Sequence, residues 1–82
     1  MSNASQDLML LLIKNLNKAA TAADALKVAA GVRALAIRDG YSDTFVDWAN
    51  LILSYERDPE NLTRIEWTRA AYGLHTALTQ PA

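Results

Sequence analysis

Past Gly40, near its midpoint, the chain carries the stretch Tyr41-Ser42-Asp43-Thr44-Phe45-Val46-Asp47-Trp48-Ala49-Asn50-Leu51-Ile52-Leu53-Ser54-Tyr55. Polar and apolar residues do not alternate along it, as they would on a half-buried strand. Placed at about 100° per residue, Asp43, Asp47, Asn50 and Ser54 fall on one narrow polar stripe, and nearly everything else is apolar. The stretch therefore reads as a helix, with Ser42 as its N-cap and Tyr41 placed to staple against Val46. It is expected to run to about Arg57. Its apolar arc is wider than a surface helix needs for one core, so the helix is expected to be central, or shared with a partner.

Working outward, Gly40 after Arg38-Asp39 reads as the C′ residue of a preceding helix. That helix opens at Thr21, which with Asp24 three residues on resembles a capping box. Seven alanines (Ala22, Ala23, Ala25, Ala29, Ala30, Ala34, Ala36) and Gly31 make it a helix that neighbours can approach closely. A first helix is expected from about Gln6 to Lys18, with Ser5 as N-cap and Asp7 in the first turn, where the helix dipole favours an anion. On the other side, Asp58-Pro59-Glu60 marks a boundary. Pro59 disfavours helix at Asp58, Asp58 can cap, and proline suits position N1. The last helix is thus expected from there to about Thr79, ended by Pro81. Trp67, Ala71, Leu74 and Leu78 form its core stripe, and Leu62, Ile65 and Tyr72 fall on a different side.

The fold class is therefore all-α: one domain over 1–82, a compact bundle of three to four short helices, with oligomerisation as a means of completing it. Residues 1–4 stand outside that argument as disordered or tag-like, because Ser2-Asn3-Ala4 looks like an expression-tag scar. Hydrophobic residues make up 51 % of the chain and charged ones 21 %, a balance that supports a packed core rather than disorder. At 82 residues only one small core is available. All six aromatics lie between Tyr41 and Tyr72, so large side chains of the second half are expected to pack over small ones of the first.

The chain has one histidine, no cysteine and no glycine-rich loop. Nucleophile–base pairs, phosphate cradles and thiolate or imidazole metal clusters cannot be assembled from such a set, so no enzyme activity and no cofactor are expected. His75 reads as an ordinary surface histidine. Asp43 and Asp47, an i, i+4 carboxylate pair, are too few ligands for a hard cation and read as a solvated stripe. The longest concentrated apolar run, Leu8 to Ile13, is far below the roughly 20 residues of a membrane span. It follows Asp7 rather than a basic segment, which does not suit a signal peptide. A cytoplasmic location with no membrane partner is the resulting expectation.

Charge is unevenly spread. Residues 8–38 carry five basic side chains (Lys14, Lys18, Lys27, Arg33, Arg38) against Asp24, whereas residues 39–60 carry six acidic ones against Arg57. A DNA-associated regulator using the basic first half is one functional reading. Against nucleic acid as a partner, the recognition helix of a helix-turn-helix drawn here would turn Asp43, Asp47 and Asn50 toward phosphate. Ser42-Asp43 at the head of an acidic helix, near the middle of a helical chain of about this length, resembles acyl and peptidyl carrier proteins. Their hallmark is Asp-Ser-Leu; here Tyr41 precedes Ser42, Asp43 follows it, and a full helix stands where that family has a long loop. The resemblance covers three or four residues and would make Ser42 a phosphopantetheine attachment site.

The leading expectation rests on surplus apolar surface. Leu8–Ile13, the broad third helix, and Ile65 with Tyr72 exceed what one small core absorbs, and contiguous exposed patches of this kind mark interfaces. This points to a small non-enzymatic interaction module of the adaptor, inhibitor or chaperone type, as found in small bacterial or phage proteins. Its expected partner is another protein or itself, with a homodimer first. Leu10, Ile13, Ile65 and Tyr72 are the interface candidates, and Asp43 and Asp47 the charged rim.

Overall fold

The computed structural model describes residues 4–79 and contains four α-helices: α1 (Ala4–Lys18), α2 (Ala22–Asp39), α3 (Asp43–Leu53) and α4 (Arg64–Thr79). A single 3₁₀ turn, Pro59–Asn61, stands before the last. Among the described residues there is no strand, and no helix is long and apolar enough to cross a membrane. Met1–Asn3 and Pro81, to which the tag-like segment and the final helix stop are assigned, lie outside the described residues. Ala4 and Ser5 already belong to α1, so Ser5 stands inside the helix rather than ahead of it.

The boundaries of α2 follow from local chemistry. Thr21 is extended (φ −131°, ψ 164°), and its hydroxyl oxygen accepts from the Asp24 N–H at 3.3 Å. The Asp24 carboxylate in turn accepts from the Ala20 N–H at 3.3 Å. At the other end Gly40 takes the left-handed conformation (φ 72°), and the N–H groups of Gly40 and Tyr41 both reach the Ala36 carbonyl. Gly40→Ala is expected to cost about 1 kcal/mol, because a Cβ crowds the following carbonyl at positive φ. Gly31 is different: a Cβ built there meets nothing within 4 Å, so it does not admit a neighbouring helix as its sequence context suggests. The close approach is made by Ala25, Ala29 and Ala36, each at most 1 % exposed, while Ala30, Gly31 and Ala34 face outward. Gly31→Ala is thus expected to stabilise by about 0.5–1 kcal/mol in urea unfolding, the opposite sign to Gly40→Ala.

Ser42 caps α3, its oxygen accepting from the Thr44 N–H at 3.2 Å. The Tyr41 ring meets Phe45 edge-on with centroids 5.9 Å apart, one residue before the expected Val46. The α-helix ends at Leu53, short of Arg57. Ser54 Oγ donates back to the Leu51 carbonyl (2.6 Å), and Tyr55 and Glu56 bond three residues back rather than four. Such back-bonding and the approach of Pro59 both disfavour further α-helix.

The connection to α4 departs furthest from expectation. Asp58 makes no side-chain cap, and Pro59 starts only one tight turn before the chain breaks at Leu62, which is buried. The cap is Thr63, whose oxygen accepts from the Glu66 N–H at 3.3 Å, with the Trp67 N–H on its carbonyl at 3.1 Å. Thr63-Arg64-Ile65-Glu66 is the capping-box pattern. Burying Leu62 turns the chain inward, and a new helix must then nucleate. Thr63→Ala is expected to cost about 1 kcal/mol, read as a lower urea midpoint with unchanged slope.

Around one core, α2 packs most extensively on α3, then α3 on α4 and α1 on α2; α1 and α4 touch least of the neighbouring pairs, and α1 and α3 stand on a diagonal. Leu12, Phe45 and Ile52 are the largest fully buried side chains, joined by Leu16, Trp48, Trp67 and Leu74. The Cα radius of gyration is 12.1 Å, close to the ~12 Å of a compact chain this long.

Candidate functional site

The limited contact between α1 and α4 leaves a concavity between them. Arg64 Nη2 donates to the Ala19 carbonyl at 2.8 Å, so α4 begins where α1 ends, and the two helices then run antiparallel. Between them lies a cleft of about 210 Å³ lined by Ile13, Leu16 and Asn17 of α1 and by Arg64, Trp67, Thr68, Ala71, Tyr72 and His75 of α4. Trp67, Leu16 and Ala71 are buried and form its floor; Asn17, Arg64, Thr68, Tyr72 and His75 are exposed at its rim. The Arg64 guanidinium carbon stands 5.4 Å from the centre of the Trp67 ring. A second concavity of about 180 Å³ lies between α3 and α4 and mixes Leu51, Ile52, Tyr55 and Ala70 with Glu66 and Arg69.

Large apolar side chains on α1 and α4 stand exposed. Leu10 is 65 % exposed, Ile65 66 % and Tyr72 71 %. Ile13 is half-buried in the cleft wall. The spacing explains why these residues share one face: Leu10, Ile13 and Asn17 recur at i, i+3, i+7 on α1, as do Ile65, Thr68 and Tyr72 on α4. Within the run Leu8–Ile13, Leu8, Met9 and Leu12 enter the core, whereas Leu10 and Leu11 face out. The four-helix core cannot take the whole run. Searches of protein families, curated proteins and solved structures find no match to this chain. Its functional reading therefore rests on this geometry.

Asp43 and Asp47 are exposed on α3, diagonal to α1, so the fold does not bring them to the rim of the α1–α4 cleft. The polar rim there is Asn17, Arg64, Thr68 and His75. Helical spacing places His75 beside Arg64 and Thr68, but it does not show that α1 supplies the opposite wall. The signal for that wall is the i, i+3, i+7 stripe that α1 and α4 share. No group of three or more His, Asp or Glu is gathered anywhere among the described residues.

Two of the five first-half cations are engaged within the chain. Arg33 Nε donates to Asn50 Oδ1 at 2.9 Å, tying α2 to α3. Arg38 forks onto Asp39 at 3.0 and 3.2 Å, and this hydrogen bond holds the exposed Asp39 carboxyl below its ordinary range. That leaves Lys14, Lys18 and Lys27 as a sparse basic surface. Ser42 Oγ, besides capping α3, donates to Thr44 Oγ1 at 3.0 Å.

Proposed function

We propose that this protein is a small helical interaction module that associates with a second copy of itself through the α1–α4 face. The observation that carries the reading is the cleft between α1 and α4, lined by Ile13 and by Tyr72, which is 71 % exposed, together with the exposed Leu10 and Ile65, which helical spacing puts next to lining residues of the same helix. Apolar residues aligned along one two-helix face form a patch of the kind that marks interfaces. The face is two helices wide and about 22 Å long, about 440 Å² in flat projection, so the polar rim must join it to reach the ~800 Å² per partner that stable complexes bury. A two-fold pairing places the same strip on both sides and closes without leaving a free edge.

Charge supplies a discriminating test. Helices α1 and α4 carry Lys14, Lys18, Arg64 and Arg69 against Asp7 and Glu66, whereas residues 43–60 carry five acids against Arg57. Pairing α1–α4 with its own copy brings like charges together at the rim, so screening by salt should strengthen it. Docking of α1–α4 onto the acidic α3 side of another copy would weaken with salt. Light scattering over a range of concentrations, at low and high salt, reads both. A dimer favoured by salt is expected; a chain that stays monomeric at millimolar concentration sinks the proposal.

A further inference from the structure

Arg64 is held in place without an acidic partner. Its guanidinium donates to the Ala19 carbonyl and lies over Trp67, and the one ion pair among the described residues is Arg38–Asp39, elsewhere on the surface. A guanidinium has five N–H donors in a rigid fork, so the single bond to Ala19 leaves most of them free. The charge is thus fixed at the mouth of a cleft whose floor is apolar and aromatic. Thr68, His75 and Asn17 add side-chain hydrogen-bonding groups around the same opening. The N-terminus of α4 lies beside it and favours negative charge.

We propose that this cleft binds a small apolar monocarboxylate, with its hydrocarbon body between Ile13 and Tyr72 and its carboxylate on Arg64. Size, polarity and charge each constrain the ligand. An apolar cavity of ~150 Å³ is enough to hold benzene, so the 210 Å³ here accepts one aromatic ring with a short acid arm. A neutral ligand forgoes the charge-assisted, two-bonded fork that Arg64 offers a carboxylate. A dianion brings a second charge that no other cation among the cleft-lining residues is placed to meet.

The test is an amide NMR titration of the full chain with 3-phenylpropionate and, in parallel, with 3-phenylpropanol, which has the same body and no charge. Saturable shifts centred on Asn17, Arg64, Thr68 and His75 are expected for the acid. Its Kd should be on the order of 1 mM for a ligand of this size. The alcohol should bind about ten-fold more weakly or worse. Arg64→Lys, which keeps the charge and loses the fork, should also weaken the acid. Because Arg64 braces Ala19 as well, the comparison of acid with alcohol on the unaltered chain is the deciding measurement. Equal binding of acid and alcohol, or shifts scattered over the surface without saturation, would overturn the proposal. The titration runs at low salt and at a protein concentration where light scattering shows only monomer, because a second copy on the α1–α4 face would cover the cleft; a failure there speaks against the ligand site alone and leaves the self-association reading standing.

Discussion

Trp48→Ala is expected to remove about 3–5 kcal/mol of stability, enough to leave much of the population unfolded in a domain this small. The indole is 4 % exposed on the face of α3 that enters the core, beside Phe45, Ala49 and Ile52 in the same helix. Truncation leaves a large void, and the fully buried positions of α2 are mostly alanine (Ala25, Ala29, Ala36), too short to fill it. One feature makes this residue more than filler. The indole Nε1–H is fully buried and finds no hydrogen-bond partner among the described residues. An unpaired buried donor costs about 1–3 kcal/mol. Trp48→Phe removes that donor while keeping an aromatic ring, so it is expected to cost under about 2 kcal/mol, far less than the alanine variant. Urea unfolding of the pair separates packing from polarity. A loss well below 1 kcal/mol for Trp48→Ala would mean that α3 is not held through this side chain.

The helices are legible wherever the chain states its own boundaries. Thr21 with Asp24, Gly40 after Arg38-Asp39, and Ser42 before Asp43 each act through backbone groups a few residues away, so their meaning survives without tertiary information. The end of α3 and the start of α4 are not legible in the same way. Asp58-Pro59 is a strong local stop, and it draws the boundary to itself. The true cap, Thr63, depends on Leu62 being pulled into the core, and that is settled by packing between elements distant in sequence. Gly31 illustrates the same limit: its spacing fits a close helix contact, and only the rotation of α2 about its axis turns it outward. The candidate site is half visible. Surplus apolar residues on α1 and α4 can be counted from the sequence, but that these helices wall one cleft, and that Arg64 is pinned at its mouth by Ala19, requires the antiparallel pairing of the first helix with the last. Asp43 and Asp47 fail as a rim for the same reason, since a stripe on one helix says nothing about which neighbour lies opposite.

Replacing Ile65 and Tyr72 together by serine is expected to weaken self-association by about 10²–10³-fold while leaving the fold intact. Each is two-thirds exposed or more in the single chain, and surface substitutions of that kind usually change stability by no more than about 0.5 kcal/mol. At the centre of an interface the balance reverses, because central aromatic and branched anchors each contribute about 2 kcal/mol or more, and every 1.4 kcal/mol is a factor of ten in Kd. The large effect on mass and the small effect on helicity therefore come from one geometric fact: these side chains point away from their own core. Sedimentation equilibrium with circular dichroism on the same samples checks both halves. Loss of the helical signal would place Ile65 and Tyr72 in the core, and an unchanged dimer would move the interface to another face, with Leu51 and Ile37, 54 % and 56 % exposed, as the next residues to replace.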